Sequence, residues 1–335
     1  MQPCGRPSIL AFPAVPGHNF YVPKPPGLLL VENVERVVLG KRATIETAVA
    51  ALLARGHVLL EDVPGVGKTV LARALARSVG AEFRRVQCTP DLLPSDVTGT
   101  AIFNMRDQAF EFRRGPVFTN LLLADEINRA TPRTQSALLE AMEERQVTVD
   151  GTTHPLPDPF FLIATQNPIE LAGTFPLPEA QLDRFLLRLS MGYPDEATEV
   201  EMMAAQKERH PLESLQPVID GDRLQEVQRN VAHVYVHPSV LKYIQQLLAR
   251  TRKDEHAQYG ASPRGGLALM RASQGLAVIQ GSPFVTPDHV QQLATAVLAH
   301  RIVVKSRSRV QGVDGTRIVD AALHEVEVPV DFEPV

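Results

Sequence analysis

Six consecutive residues, Pro64-Gly65-Val66-Gly67-Lys68-Thr69, carry the densest potential chemistry in this chain. An apolar run, Val58-Leu59-Leu60, precedes them, and a run of helical character, Val70-Leu71-Ala72-Arg73-Ala74-Leu75, follows. Strand, glycine loop and helix in that order turn several backbone N–H groups toward one point at a helix N-terminus, and such a point attracts phosphate. Lys68 is expected between the β- and γ-phosphates of a nucleoside triphosphate, with the Thr69 hydroxyl on Mg2+. Pro64, Gly65, Val66, Gly67 and Val70 complete the expected cradle. One letter departs from the strict pattern G-x-x-x-x-G-K-[ST]: Asp62 stands at its first glycine. Glycine turns also precede helices by chance, but the strand before and the helix after favour binding and hydrolysis of a nucleoside triphosphate.

Downstream, Leu121-Leu122-Leu123-Ala124 runs into Asp125-Glu126. An acid at the C-terminal end of a parallel strand faces the crevice where ligands bind. Asp125 is expected to hold Mg2+ through water and Glu126 to polarise the attacking water. Taken alone such a pair is a weak signal; with a glycine loop upstream it is a strong one. Thr165-Gln166-Asn167 closes a further apolar run, where Asn167 can orient the lytic water or simply form a turn before Pro168. Arg184, in Glu179-Ala180-Gln181-Leu182-Asp183-Arg184-Phe185, fits an arginine supplied to a neighbouring subunit. A surface ion pair with Asp183 or Glu179 explains it equally well. Arg264, in Ser262-Pro263-Arg264, opens a helix against the helix dipole. It either reaches a phosphate or is solvated.

These residues need a scaffold. Ile45, Val49, Leu52 and Leu53 share a helical face that Gly56 is expected to end. Strands are expected at 57–61, 82–87, 121–124, 160–164 and 185–189. Helices are expected from Val70 to Gly80 and after Thr131-Pro132, with a stripe of Ala137, Leu138 and Met142. Strands alternating with helices predict an α/β fold with a five-stranded parallel sheet covered on both faces. After Tyr193-Pro194 only helices are expected: 195–207, 222–230, 238–252, 265–280 and 286–299. The chain therefore divides into an arm (1–26), an α/β nucleotide-binding domain (27–194) and a smaller all-helical domain with a C-terminal tail (195–335). Two hairpins are expected inside the α/β domain. Asp150-Gly151 lies between β-forming residues 146–153. Thr100 to Phe112 has a polar tip, Asn104 to Gln108, expected to project while its phenylalanines pack. Such insertions tend to engage partners.

The 335 residues are 44% hydrophobic with a formal net charge of -4, so a large core is available. Residues 1–195 hold 19 basic and 21 acidic side chains, and residues 196–335 hold 15 and 17. Neither part carries a bulk footprint for nucleic acid. Cys4 and Cys88 fit no metal pattern or disulfide framework. No apolar run spans a membrane, and the proline-rich start lacks the features of a signal peptide, so the cytoplasm is the expected location.

Together these pieces resemble the AAA+ ATPases, and within them the MoxR family, from about Val34 to about Ile302. The most specific stretch is Asp125-Glu126-Ile127-Asn128-Arg129-Ala130-Thr131-Pro132 with Gln135-Ser136-Ala137-Leu138-Leu139-Glu140-Ala141-Met142-Glu143-Glu144. Ala164-Thr165-Gln166-Asn167-Pro168 and Ser262-Pro263-Arg264 match as well. The resemblance implies that Lys68 and Thr69 belong to Walker A, Asp125 and Glu126 to Walker B, and Asn167 to sensor 1. It makes Arg184 an arginine finger and Arg264 sensor 2, acting on its own subunit's nucleotide or, from the displaced lid of this clade, on a neighbour's. Val38 and Gly40 resemble the loop bordering the adenine. Thr100–Phe112 looks like the helix-2 insert, and Val147–Leu156 like the hairpin before sensor 1. The implied protein uses ATP and Mg2+ in a homo-oligomeric ring, a hexamer, and remodels or matures a client, typically with a von Willebrand factor A domain protein. Competing expectations are a nucleic-acid motor, a small-molecule kinase, and a nucleotide-gated binding module with little turnover.

Overall fold

The structure, a computed structural model, describes residues 24–168, 173–205 and 211–332. Most of the expected N-terminal arm, with Cys4, lies outside the described residues. Within them, five strands form one parallel sheet: β1 (Val58–Glu61), β2 (Phe83–Gln87), β3 (Leu121–Asp125), β4 (Phe161–Gln166) and β5 (Leu187–Leu189). Their spatial order is β2-β3-β4-β1-β5. The chain leaves β1 in the interior and returns at the edge strand β2, with β3 and β4 later filling the gap between them, so a crevice opens at the C-terminal ends of β1 and β4.

Both faces of the sheet are buried, which the apolar strand sequences require. Leu60, Leu121, Leu123, Phe161 and Ile163 face one core, and Leu59, Leu122, Ala124, Leu162 and Ala164 face the other. The first core includes Leu30 and Val34 of helix α1 (Pro26–Glu35), Ile45 and Val49 of α2 (Arg42–Leu53), and Leu71 and Leu75 of α3 (Lys68–Ser78). The second is closed by Leu138, Leu139 and Met142 of α4 (Pro132–Glu144), which Thr131 caps through its side chain. Ala137 of the expected stripe is only half-buried.

Several boundaries differ from the sequence expectations, each for a local reason. Helix α1 begins at Pro26, inside the expected arm, because Pro at the first turn costs no hydrogen bond. Helix α2 ends at Leu53, and the left-handed residue beyond it is Arg55 (φ 56°), not Gly56. Gly56 is needed for a different purpose: a Cβ there would stand 2.3 Å from Leu186 Cδ2.

Past Pro194 come α5 (Glu196–Ala205), α6 (Gly221–Val231), α7 (Pro238–Lys253), α8 (Pro263–Ile279) and α9 (Pro287–Leu298). This part is not wholly helical, since Ala257–Tyr259 pairs antiparallel with Val303–Val304. Part of the expected C-terminal tail is helical. Helix α10 (Gly315–Glu325) buries Ile318, Val319 and Ala322 in the same core as α9. Helix α8 meets α2 at Gly275, where a Cβ would stand 2.5 Å from the Ala50 carbonyl oxygen. That contact fixes the helical lid against the α/β domain. Among the described residues no helix is long and apolar enough to cross a membrane.

Both hairpins form: Gly99–Asn104 with Ala109–Arg114, and Gln146–Val149 with Thr152–Pro155. The second turns on Asp150 and Gly151, both at positive φ. In the first, Phe112 packs, its ring stacked 4.0 Å from that of His154. Phe103 and Phe110 do not pack inward; they are 53% and 75% exposed and pair only with each other. Phe110 and Phe112 share one face of the strand, so the difference is position along the ladder: the Phe103–Phe110 pair sits nearer the tip than the Ala101–Phe112 pair.

Candidate nucleotide-binding site

The loop after β1 adopts the expected cradle. Gly65 and Gly67 have φ of 88° and 93°, a region closed to most residues. No heavy atom lies within 4 Å of a Cβ built on Gly65, so backbone conformation and not crowding demands glycine there. Helix α3 starts at Lys68 without a side-chain cap, leaving its first N–H groups for a ligand. A cavity of about 330 Å³ is lined by Pro64, Gly65, Gly67, Lys68, Thr69, Asp125, Glu126, Thr165, Gln166 and Asn167. An adjoining, more apolar cavity of about 450 Å³ shares Pro64, Gly65 and Gly67. Val37, Val38, Val66, Val70, Met191 and Tyr193 line it, as a purine base requires. Gly40 does not line it; its positive φ shapes the turn, and Thr198 packs against it.

Asp62, the departure from the strict loop pattern, is a tether. Its Oδ2 accepts from Ser190 Oγ (2.9 Å), Met191 N (2.6 Å) and Gly192 N (2.7 Å), and its Oδ1 accepts from Val63 N (3.0 Å). A glycine there could not bind the segment after β5 to the phosphate loop. Burial alone would raise this carboxyl, but the hydrogen bonds from Gly192, Ser190, Met191 and Val63 outweigh it and hold it below the usual range. Lys68 Nζ donates to the carbonyls of Asp62 (2.5 Å) and Val63 (3.0 Å). Burial draws its ammonium below the ordinary value, and the charges of Asp62, Asp125 and Glu126 offset part of that. A cation so desolvated binds a polyphosphate strongly.

Asp125 ends β3 and Thr165 lies beside it on β4. Thr165 Oγ1 donates to Asp125 Oδ1 (2.5 Å) and accepts from Glu126 N (2.8 Å). One hydroxyl therefore positions both acids. The role of Thr165 is not legible in the sequence, because a threonine in a buried strand is ordinary; only the strand order shows its neighbours. Glu126 is left-handed, with φ 56° and ψ 50°. Strain at a non-glycine residue costs on the order of 1–3 kcal/mol and gathers at functional sites. Arg85 on β2 donates to Asp125 Oδ2 through Nε (3.0 Å) and Nη2 (2.6 Å). Gln87 and Arg129 both donate to Glu126 Oε2, at 2.8 and 3.1 Å. Asn167 is buried at the cavity wall.

The donors fit Mg2+. Thr69 and Asp125 supply hard oxygens to one cavity, and substrate phosphates would supply others, as this ion prefers. No cluster of three or more His, Cys, Asp or Glu exists among the described residues, so no wholly protein-built metal cage competes. Cys88 is buried, which pushes its thiol up to about 12 and leaves it inert.

Arg184 and Arg264 line neither cavity. They meet each other at a separate cleft with Arg55, Arg145, Arg271 and Arg301. The ion pair of Arg184 is with Glu143 of α4 (3.1 Å), rather than with Asp183 or Glu179.

A strand–glycine loop–helix cradle, paired acids at the end of β3 and a helical lid define an AAA+ nucleotide-hydrolysing protein. The family model described as "ATPase family associated with various cellular activities (AAA)" matches residues 57–187, and the AAA lid domain matches residues 249–322. Uncharacterized protein YeaC of Bacillus subtilis is 52% identical over 91% of this chain and 95% of its own length. Chaperone MoxR1 of Mycobacterium tuberculosis is 40% identical over 89% of this chain and 81% of its own. A crystal structure of a protein assigned as an ATPase from Cytophaga hutchinsonii superposes with a TM-score of 0.82 at 36% identity, covering 90% of this chain and 94% of that one. The chain belongs to the MoxR family of AAA+ ATPases. It binds nucleotide and hydrolyses ATP in a chaperone-like role.

Proposed function

We propose that the protein works as a closed homo-oligomeric ring, a hexamer, in which each active site is completed by the adjacent subunit. The observation that carries this reading is the separation of Arg184 and Arg264 from the cavity that holds Lys68, Thr69, Asp125 and Glu126. Among the described residues Lys68 is the one cation lining that cavity, while Arg85 and Arg129 beside it are engaged by Asp125 and Glu126. Arginines on the opposite face reach that charge only from another copy, and a head-to-tail contact of this kind repeats until it closes.

Within one site, the Gly65–Gly67 backbone and the start of α3 hold the phosphates while Val38, Val66 and Val70 hold the base. Thr69 and Asp125 would hold Mg2+, which neutralises phosphate charge when bound. Glu126, aimed by Thr165, accepts the proton of the attacking water, and Asn167 orients that water. The neighbour's Arg184 and Arg264 stabilise the departing phosphoryl charge. The exposed Ile102, Phe103, Met105 and Phe110 of the first hairpin support its reading as the surface that engages the client or a von Willebrand factor A domain partner.

The test is sedimentation of Glu126→Gln with saturating ATP, since this variant holds ATP without turning it over. A discrete ring is expected; a monomer under these conditions overturns the reading. The same trapped variant, used in a pull-down, should retain the partner and lose it when residues 104–108 are trimmed with basal ATPase intact.

A further inference from the structure

Glu143 lies on the last turn of α4, on no strand end and in neither nucleotide cavity. Its two carboxylate oxygens are divided between two domains. Oε2 meets Arg184 Nε of the α/β domain at 3.1 Å, and Oε1 accepts from Arg264 Nη2 of the lid at 2.9 Å. A second acid continues the chain of charges. Asp183 Oδ2 lies 3.7 Å from Arg264 Nε, and its Oδ1 accepts from Arg301 Nε at 2.8 Å. Arg301 is the fixed end: its side chain is only 3% exposed and donates to the Phe185 (2.6 Å) and Leu186 (3.2 Å) carbonyls.

Stability does not explain Glu143. Its pairs are about one-third to one-half exposed, and exposed pairs contribute roughly 0–1 kcal/mol. Orientation does explain it. Arg184 spends only Nε on the carboxylate, and its terminal nitrogens make no hydrogen bond among the described residues. Its fork is therefore aimed and still free, the state needed for two-point contact with a phosphoryl group. Arg264, placed against the local helix dipole, is held by the same carboxylate. Without it the two guanidiniums would repel each other and separate.

We propose that Glu143 is a positioning residue: it sets Arg184 and Arg264 as one unit toward the neighbouring subunit's nucleotide, so that lid and finger move together. This rests on the reading that both arginines act across the interface. Glu143→Ala should lower kcat by about 10- to 100-fold, the effect of a small misplacement of a charge-stabilising group. KM and the affinity for a fluorescent ADP should stay within about twofold, because the subunit's own cavity is untouched. Glu143→Gln, which keeps one acceptor oxygen, should lose less.

The experiment measures kcat, KM and ring formation for Glu143→Ala, Glu143→Gln, Arg184→Ala and the Glu143→Ala/Arg184→Ala double variant, each also mixed with Lys68→Ala after subunit exchange is verified. The expected result is a kcat loss in Glu143→Ala, recovery on mixing, and a double variant whose loss is smaller than the two single losses combined, since only the setting of Arg264 is left to lose once Arg184 is gone. If kcat of both Glu143 variants is unchanged while Arg184→Ala is inactive and rescued by mixing, the Glu143 proposal falls and the trans reading survives. If Arg184→Ala is not rescued, the trans reading falls and takes this proposal with it. Additive losses in the double variant, or loss of rings in Glu143→Gln, show a structural role and likewise overturn the proposal.

Discussion

Asp62→Ala probes the tether between the phosphate loop and the end of β5. Four donors converge on this carboxylate, and their worth differs. Ser190 is exposed and its hydroxyl can return to water, whereas Met191 is buried and its N–H cannot. A hydrogen bond to a charged acceptor contributes about 1.5–3 kcal/mol, and an orphaned buried donor costs a comparable amount. Counting the two short backbone bonds fully and the others as negligible gives a loss of about 3–6 kcal/mol, a large fraction of the 5–15 kcal/mol typical of a folded protein. Asp62→Asn keeps one acceptor oxygen and should fall between. The loss should appear in thermal and urea unfolding, together with weaker ADP binding, since the loop is freed from one anchor. The pH dependence has a definite sign. The folded carboxyl lies below the ordinary value, so its contribution is present above about pH 3.9 and is lost as pH falls through the lower folded value. Asp62→Ala should lack that dependence. Unchanged melting and unchanged ADP affinity in Asp62→Ala would refute the tether.

Three further outcomes are expected. Glu126→Gln should bind ATP normally and hydrolyse it ~10²–10⁴-fold more slowly, measured by phosphate release against equilibrium titration. Gly275→Ala should drive a methyl into the Ala50 carbonyl and destabilise the α8–α2 contact by roughly 1–3 kcal/mol, visible as a lower melting temperature and faster proteolysis at the lid. His57 is buried between the Met142 carbonyl and the Leu162 amide, and burial first, with Arg145 adding, pulls it down to about 3. The unfolded chain takes up that proton below about pH 6.5, so stability should fall as pH drops from 6.5 toward 3, with His300 acting in the same direction. Denaturation midpoints that are flat across that window would contradict it.

What the sequence disclosed and what it withheld divide along physical lines. The phosphate loop and the Asp125-Glu126 pair are local, since strand, turn and helix lie within about twenty residues, and they were legible. So were the apolar strands, whose alternation assigns Leu59 and Leu60 to opposite cores. Long-range pairings were not legible. Thr165, Arg85 and Gln87 reach the acids only because β2, β3 and β4 are adjacent, and Glu143 meets Arg264 across 121 residues of chain. The role of Asp62 was hidden for the same reason, because its donors lie after β5. The short ribbon 257–259 with 303–304 and helix α10 carry weak local signals and form by packing on the lid. The exposure of Phe103 and Phe110 runs against composition, since phenylalanines normally turn inward.

The central claim is that each ATP is hydrolysed between two subunits. Its most direct test mixes Lys68→Ala, which has no working phosphate loop, with Arg184→Ala, which lacks the finger. Each alone should be inactive, the first from failed nucleotide binding and the second with near-normal binding and a rate lowered by ~10³–10⁵-fold. After verified subunit exchange, a mixture should regain part of the wild-type rate, because an intact loop on one subunit can face an intact Arg184 on its neighbour. A mixture that exchanges subunits and stays as inactive as either variant alone would contradict the claim and leave Arg184 as a surface ion pair with Glu143.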